Sequence, residues 1–382
     1  MDVYLDYNAS TPVAAPVLEA MMPWFKANYA NPGSQHSMGR AARAAVRDAR
    51  DTLADLLGSG PTELIFTSGA TEANNLALRG LAPEIFRDRP RIVTFQSEHA
   101  SVLEPLRRMA DEGIKVDVLP VDRNGLIDLA RLHEVLGADV ALVSAMLVNN
   151  ETGVIQPIAE LAELAHGCGA LLHSDATQAV GRLPLNLAAL GVDLATMSGH
   201  KIYGPKGVGA LYARRGVPLR PIAHGGGQER GLRSGTENVP GIVGFAAAAG
   251  YAIADLDAEV RRVRGLRRRL LDELLEIGGV EPIAGGIDAD DSVQSPWTLN
   301  VHFNGADAEA VIVNAPNLAL SAGSACSSGV PEPSHVLLAM LGDPAAAAEC
   351  VRISFGRPTT ESDIAAAAET LRHSVAYVRA RT

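Results

Sequence analysis

Lys201 stands in Ser198-Gly199-His200-Lys201-Ile202-Tyr203-Gly204-Pro205, behind the short apolar run Val192-Asp193-Leu194-Ala195-Thr196-Met197 and ahead of a Gly-Pro turn. The run predicts a buried strand, and Gly204-Pro205 stops it from continuing as regular structure. A lysine at a strand end, among small and hydroxylic neighbours rather than in a charge run, loses its proton readily and becomes a nucleophile toward aldehydes. Taken alone, the octapeptide fits an exposed loop lysine equally well. The residues at the other strand ends decide between the two.

Glu63-Leu64-Ile65-Phe66 leads through Thr67-Ser68-Gly69-Ala70-Thr71 into a helical pattern. A strand that turns into a helix there offers backbone N–H groups, with the Ser68 and Thr71 hydroxyls, to an anion; Ser and Gly also serve as plain caps at such turns. Apolar runs follow at Arg91–Phe95, Val116–Leu119, Val140–Leu147, Ala170–His173 and Asp193–Met197, separated by helical segments such as Ala100–Asp111 and Ile158–Ala165. This alternation predicts a mostly parallel sheet covered by helices on both faces, with ligands at the carboxyl ends of the strands. Gly69-Ala70-Thr71, His99, Asn150, Asp175 and the group Ser198, His200, Lys201 all fall at those ends. Scattered core polar residues would not collect on one side.

A helix is predicted over Met38–Leu57, stopped by Gly58, and one long helix over Val239–Leu275 that links two domains. Arg261-Arg262 and Arg267-Arg268-Arg269 on the latter read as a solvated face or inter-domain pairs. Beyond it, Trp297–Phe303, Asp307–Asn314, Val351–Phe355 and Glu361–Arg379 predict a compact α+β domain. The Gly-rich stretch from His224 to Asn238 reads as an exposed loop or a contact to another subunit.

With 382 residues, 47% of them hydrophobic, the chain has room for two domains and a large core. Its net charge of -11 and lack of a long basic run argue against direct nucleic-acid binding. No stretch is long and apolar enough to cross a bilayer, and Met1-Asp2-Val3-Tyr4 begins no secretory signal, so a cytoplasmic location is expected. The three cysteines, Cys168, Cys326 and Cys350, are too few and too odd in number for a disulfide framework. Cys168 and Cys350 border apolar segments and read as small buried hydrophobes. No metal site is assigned.

These residue types match what pyridoxal 5'-phosphate (PLP) asks of a protein: a Schiff-base lysine, an acidic partner for the ring nitrogen, an anion cradle and a flat group over the ring. Lys201 supplies the first, and Asp175, just past a strand, can keep the ring nitrogen protonated. His99 can stack; Gly69, Thr71, Ser198 and His200 can hold the phosphate. Each residue also has a plainer reading: Asp175 as a helix N-cap, Asn149-Asn150 as a turn, His99 as a satisfied polar group at a strand end.

The motifs together resemble the cysteine desulfurases, PLP enzymes of the aminotransferase class V group. The resemblance runs from Tyr4-Leu5-Asp6 to Arg352-Ile353-Ser354-Phe355-Gly356-Arg357. It is carried most specifically by Thr67-Ser68-Gly69-Ala70-Thr71-Glu72-Ala73-Asn74-Asn75, Val148-Asn149-Asn150-Glu151-Thr152-Gly153, Ser198-Gly199-His200-Lys201 and Ser324-Ala325-Cys326. The fold implied is α/β, the aspartate aminotransferase-like fold type I of PLP-dependent transferases. It would have a large PLP-binding domain over residues 14–255, with the mostly parallel sheet, and a small α+β domain from 1–13 and 256–382 carrying the cysteine loop.

By that resemblance Lys201 is the lysine linked to PLP, Asp175 the ring-nitrogen partner and His99 the stacking imidazole. Gln178 bonds the phenolic oxygen, Thr71, Ser198 and His200 lie at the phosphate, and Ala70 and Asn150 are further cofactor-binding positions. Thr236 reaches the phosphate from a second subunit, which implies a homodimer. Asn150 and Arg352 hold the carboxylate of L-cysteine. Cys326, in a run of small residues fit for a mobile exposed loop, takes the sulfur as a persulfide and passes it to a protein acceptor; attack requires its thiolate. For Cys326 the plainer reading is a buried cysteine. The implied reaction is L-cysteine to L-alanine, a sulfurtransferase activity. The alternatives within the fold are a selenocysteine lyase or another class V PLP enzyme, and outside it a non-catalytic binding module. Ser10 stands where such enzymes often have threonine. Housekeeping relatives often extend beyond the position of Thr382 with a tail that docks an iron–sulfur scaffold protein, so a dedicated sulfur acceptor is the open expectation here.

Overall fold

The computed structural model describes residues 2–284, 292–323 and 333–381. Its strands are β1 (Val3–Tyr4), β2 (Leu64–Thr67), β3 (Arg91–Phe95), β4 (Lys115–Leu119), β5 (Val140–Ser144), β6 (Leu171–Asp175), β7 (Leu194–Ser198), β8 (Gly209–Ala213), β9 (Val280–Ile283), β10 (Thr298–Phe303), β11 (Leu318–Ala319) and β12 (Cys350–Ser354). Seven form one sheet in the order β2-β8-β7-β6-β5-β3-β4. The pairs from β7 through β4 are parallel, and β8 runs antiparallel between β2 and β7. Because β8 opposes both neighbours, β2 points the same way as β7, so β2, β3, β5, β6 and β7 all deliver their carboxyl ends to one edge.

The strand sequences explain their places. Val140-Ala-Leu-Val-Ser and Leu194-Ala-Thr-Met-Ser are buried at every position, as strands covered on both faces must be. At the sheet's edge, β4 is only partly covered, with Lys115 exposed and Asp117 half-buried, and Asp117 pairs with Arg91 at 2.9 Å. Charge on an edge strand discourages pairing with another chain. Helices Ser37–Leu57 and Val239–Ile253 pack on this core through Ala42, Val46, Leu53 and Phe245. The first helix ends where Gly58 turns left-handed at φ 65° and returns its N–H to Ala54 and Asp55.

The expected single helix over Val239–Leu275 is two helices, Val239–Ile253 and Leu256–Leu275, bent by 69°. Asp255 breaks it by adopting φ 55°, a conformation that Asp tolerates better than most residues. The bend carries the second helix onto another core, built of Val263, Leu270, Leu299, Phe303, Ile353 and Leu371 around the antiparallel sheet β12-β10-β9. The N-terminal strand joins this core through Val3 and Leu5, pairing with β11 in parallel. Asp6 then bridges to Ser354, after which residues 7–11 run without regular structure to the carboxyl edge of the large sheet.

Candidate active site

A pocket of about 520 Å³ opens at that edge. Ala70, Thr71, His99, Asn150, Asp175, Gln178, Ser198, His200, Lys201 and Arg352 all line it, so these predicted site residues meet in one place. Thr236 does not; it is exposed on the single chain, in the stretch before helix Val239–Ile253. Cys326 lies outside the described residues.

Lys201 sits in a short turn after β7. Thr11 braces it: its N–H and hydroxyl each donate to the His200 carbonyl at 2.9 Å, and the hydroxyl accepts from Tyr203 N at 2.7 Å. Tyr203 is held at φ 69°, a conformation costing about 1–3 kcal/mol outside glycine. Strain at this point is offset by the bracing and fixes the direction in which the lysine leaves the strand. Its amine donates to the carbonyls of Asn8 at 2.5 Å and Ala9 at 2.9 Å.

Asp175, 4% exposed, accepts from Asn74 Nδ2 at 2.8 Å and from Thr177 N at 3.0 Å. Asn74 Nδ2 also donates to Ser101 Oγ at 2.8 Å, and that oxygen lies 2.8 Å from His99 Nδ1. Because Ser101 N donates to His99 Nδ1 at 3.1 Å, this nitrogen carries no proton and the ring holds its proton on Nε2. His99 is thereby both the N-cap of helix Ala100–Asp111 and a wall of the pocket.

At the opposite end lies the start of helix Ala70–Arg79. Gly69 precedes it at φ 154°, ψ -177°, a region that only glycine occupies without strain, and no side chain caps the helix. Its first N–H groups have no partner within the helix and draw an anion. Glu72 brings a carboxylate into the same wall. Burial alone raises its pKa, but hydrogen bonds from Arg233 and Ser68 outweigh this and hold it below the ordinary value. The Arg233 contact, 2.8 Å, offsets its charge toward an incoming phosphate. Burial first, and the Lys201 and Lys206 charges second, push the His200 imidazole down to about 4.

Arg352, 2% exposed, reaches Asp6 at 2.8 Å and the Asn150 carbonyl at 3.2 Å, while its Nε has no partner among the described residues. Gln178 Nε2 donates to Asn8 O at 3.0 Å and its Oε1 is likewise without a partner. Buried polar atoms left unpaired are costly, and these two belong to residues that line the pocket. An open helix start at one end, a carboxylate and imidazole across the middle and orphaned Gln and Arg atoms at the other fit PLP carrying an amino acid.

Sequence reasoning passed over Asn8, Arg182 and Glu98. Asn8 and Arg182 lie far apart in sequence, Asn8 in the polar, turn-like stretch Leu5–Pro12, and neither has a spacing that points to the site. Glu98, beside His99, is wholly buried; Met146 N donates to its Oε1 at 2.6 Å, and Oε2 has no partner among the described residues. Burial, with the Asp175 charge adding to it, raises its pKa well above the usual carboxylate value. The unfolded chain therefore binds fewer protons than the folded one above about pH 4.5, so stability falls as pH rises from there to the folded pKa. Glu98→Gln, which keeps the shape of the neutral acid, is expected to be near neutral at pH 4.5. It gains relative to wild type by up to about 1.4 kcal/mol per pH unit above it. Denaturant melts at pH 5 and pH 8 read this directly, and an equal difference at both would show that Glu98 is ionised in the fold.

Known proteins carry the same design. The family described as aminotransferase class-V matches residues 3–366. The cysteine desulfurase IscS of Salmonella schwarzengrund is 44% identical over 384 residues, covering 99% of this chain and 94% of the relative. Among solved structures, a NifS-like protein superposes with a TM-score of 0.91 at 37% identity, over 99% of this chain and 100% of that one. DndA from Streptomyces lividans does so with a TM-score of 0.77 at 40% identity, over 91% and 98%. The fold is type I of the PLP-dependent transferases. A match that runs nearly end to end, over a pocket with a lysine at its centre, places this chain in the aminotransferase class-V family.

Proposed function

We propose that the protein is a PLP-dependent cysteine desulfurase that converts L-cysteine to L-alanine and passes the sulfur, through Cys326, to a protein acceptor. The observation that carries this is the Lys201 amine at the floor of a pocket that also holds Asp175, His99 and an open helix start. Bound there, PLP supplies an electron sink for negative charge at the substrate's Cα. Asp175, oriented by Asn74 and Thr177, keeps the ring nitrogen protonated, and His99 covers the ring. The first N–H groups of helix Ala70–Arg79, with Thr71, Ser198 and His200, would take the phosphate, and Gln178, whose Nε2 donates to Asn8 O, would lie at the ring oxygen.

Arg352 and Asn150 orient the cysteine carboxylate, and Lys201 moves the Cα proton. The Cys326 thiolate attacks the substrate sulfur; an S–S bond forms as the C–S bond breaks, and the electron pair and protons end on alanine. In sum, cysteine and the Cys326 thiol become alanine and a Cys326 persulfide. The other cysteines are poor candidates for this step. Burial, with Glu349 adding to it, pushes the Cys350 thiol up to about 12, and Cys168 precedes β6, at the sheet edge opposite the pocket. Thr236, exposed on its own chain, is proposed to complete the phosphate site of a second copy in a homodimer.

The test is Cys326→Ala. The purified variant is expected to keep a visible cofactor band that borohydride removes, while alanine release from cysteine falls by about 100-fold or more and no sulfur remains on the protein. Undiminished turnover in that variant would overturn the role of Cys326. Absence of a borohydride-sensitive band in the wild type would overturn the whole reading.

A further inference from the structure

Asn8 spends every polar group it has. Its N–H donates to Ser354 Oγ at 2.9 Å, and its Nδ2 to Asn150 O at 3.0 Å and Thr298 Oγ1 at 2.8 Å. Its carbonyl accepts from both Lys201 Nζ and Gln178 Nε2, and its Oδ1 accepts from Arg182 Nη1. Arg182 is 5% exposed, and its Nη2 donates to Tyr7 O at 3.0 Å and Lys201 O at 3.4 Å. Its partners are uncharged oxygens; no carboxylate pairs with it among the described residues. Burial correspondingly depresses its ionisation to about 10. A buried cation without a counter-ion is expensive, by several kcal/mol. Stability alone does not account for keeping one beneath the reactive lysine.

We propose that Asn8 and Arg182 are positioning residues for Lys201. The carbonyls of Asn8 and Ala9 receive its amine whenever that amine is not joined to the cofactor, and the Arg182 fork holds the segment that carries them, through the Asn8 side chain and the Tyr7 carbonyl. This rests on the reading of Lys201 as the cofactor-linked lysine. Substrate cysteine must displace the Lys201 amine from the cofactor, and the amine must return at the end of each turnover. In between it carries protons, and two acceptor-only oxygens at 2.5 and 2.9 Å suit it. Held there, it stays within reach of the cofactor instead of sampling its full rotamer freedom. Arg182 bridges the Asn8 side chain and the Tyr7 carbonyl, so the segment bearing the resting place cannot drift from the turn bearing the lysine.

The experiment uses the PLP-loaded enzyme with Arg182→Met, which keeps the length of the side chain, and Arg182→Lys, which keeps the charge but not the fork. Stopped-flow absorbance follows loss of the lysine-linked band on mixing with cysteine, and its return as cysteine runs out. Arg182→Met is expected to slow both phases by about 10- to 100-fold, the effect of an ångström-scale misplacement, with the amplitude of the resting band retained. Arg182→Lys is expected to recover part of that loss. If the Met variant does not fold, Asn8→Ser, which removes the Oδ1 that Arg182 holds, is expected to slow the same phases. Wild-type rates in the Met variant, or in the Asn8→Ser variant if it stands in, overturn the proposal, as does an Arg182→Lys variant no faster than Met. A wild-type enzyme without a borohydride-sensitive band overturns instead the reading on which it rests.

Discussion

Lys201→Ala is expected to bind PLP without a covalent link and to release alanine from cysteine about 10⁴-fold more slowly than wild type. Proton transfer by a positioned side chain contributes roughly 10²–10⁴-fold, and covalent anchoring of the cofactor is lost with it. The fold should survive. The amine donates to the backbone carbonyls of Asn8 and Ala9, which remain in its absence, and the turn is braced through Thr11 and the His200 and Tyr203 main chain. Alanine quantified over time, with and without borohydride pretreatment, gives both halves of the result. Wild-type alanine release from this variant would end the assignment.

Asp175→Asn is expected to lower kcat by about 100-fold or more with a much smaller change in KM, because the lost charge matters when negative charge develops at Cα. The replacement is nearly isosteric, yet its surroundings refuse it. Asn74 Nδ2 and Thr177 N both donate to the carboxylate, one to each oxygen. An amide sets its own N–H₂ against one of these donors, and hydrogen bonds to a charged acceptor are worth about 1.5–3 kcal/mol. The cofactor's visible absorbance should shift as the ring nitrogen loses its proton. A KM-only defect would move Asp175 from the chemistry to substrate binding.

Much of this was legible in the sequence, for local physical reasons. Strands buried on both faces read as apolar runs, so Arg91–Phe95, Ala170–His173 and Asp193–Met197 fall on β3, β6 and β7 within a residue or two, and even the partly exposed edge strand β4 was placed to within one residue. Val140–Leu147 overshoots, because the chain leaves the sheet at Ser144 yet stays buried through Met146 and Leu147. The bend at Asp255 was not legible: Ala254-Asp255-Leu256-Asp257 contains neither Gly nor Pro, and only tertiary packing selects the left-handed Asp. The strand-end residues that line the pocket were legible because the parallel sheet gathers them. Asn8 and Arg182 were not, because a buried hydrogen-bond hub leaves no spacing to read. Glu98 was hidden by the more conspicuous His99 beside it.

Residues 7–11 have no helix or strand of their own, yet they lie between the two hydrophobic cores. Asn8 alone is tied to Thr298 and Ser354 on one side and to Asn150, Gln178, Arg182 and Lys201 on the other. A chimera that grafts the antiparallel sheet of one relative onto the large sheet of another therefore has three parts to match, not two. The short connecting thread must be compatible with both halves, or the graft will assemble with its lysine out of register.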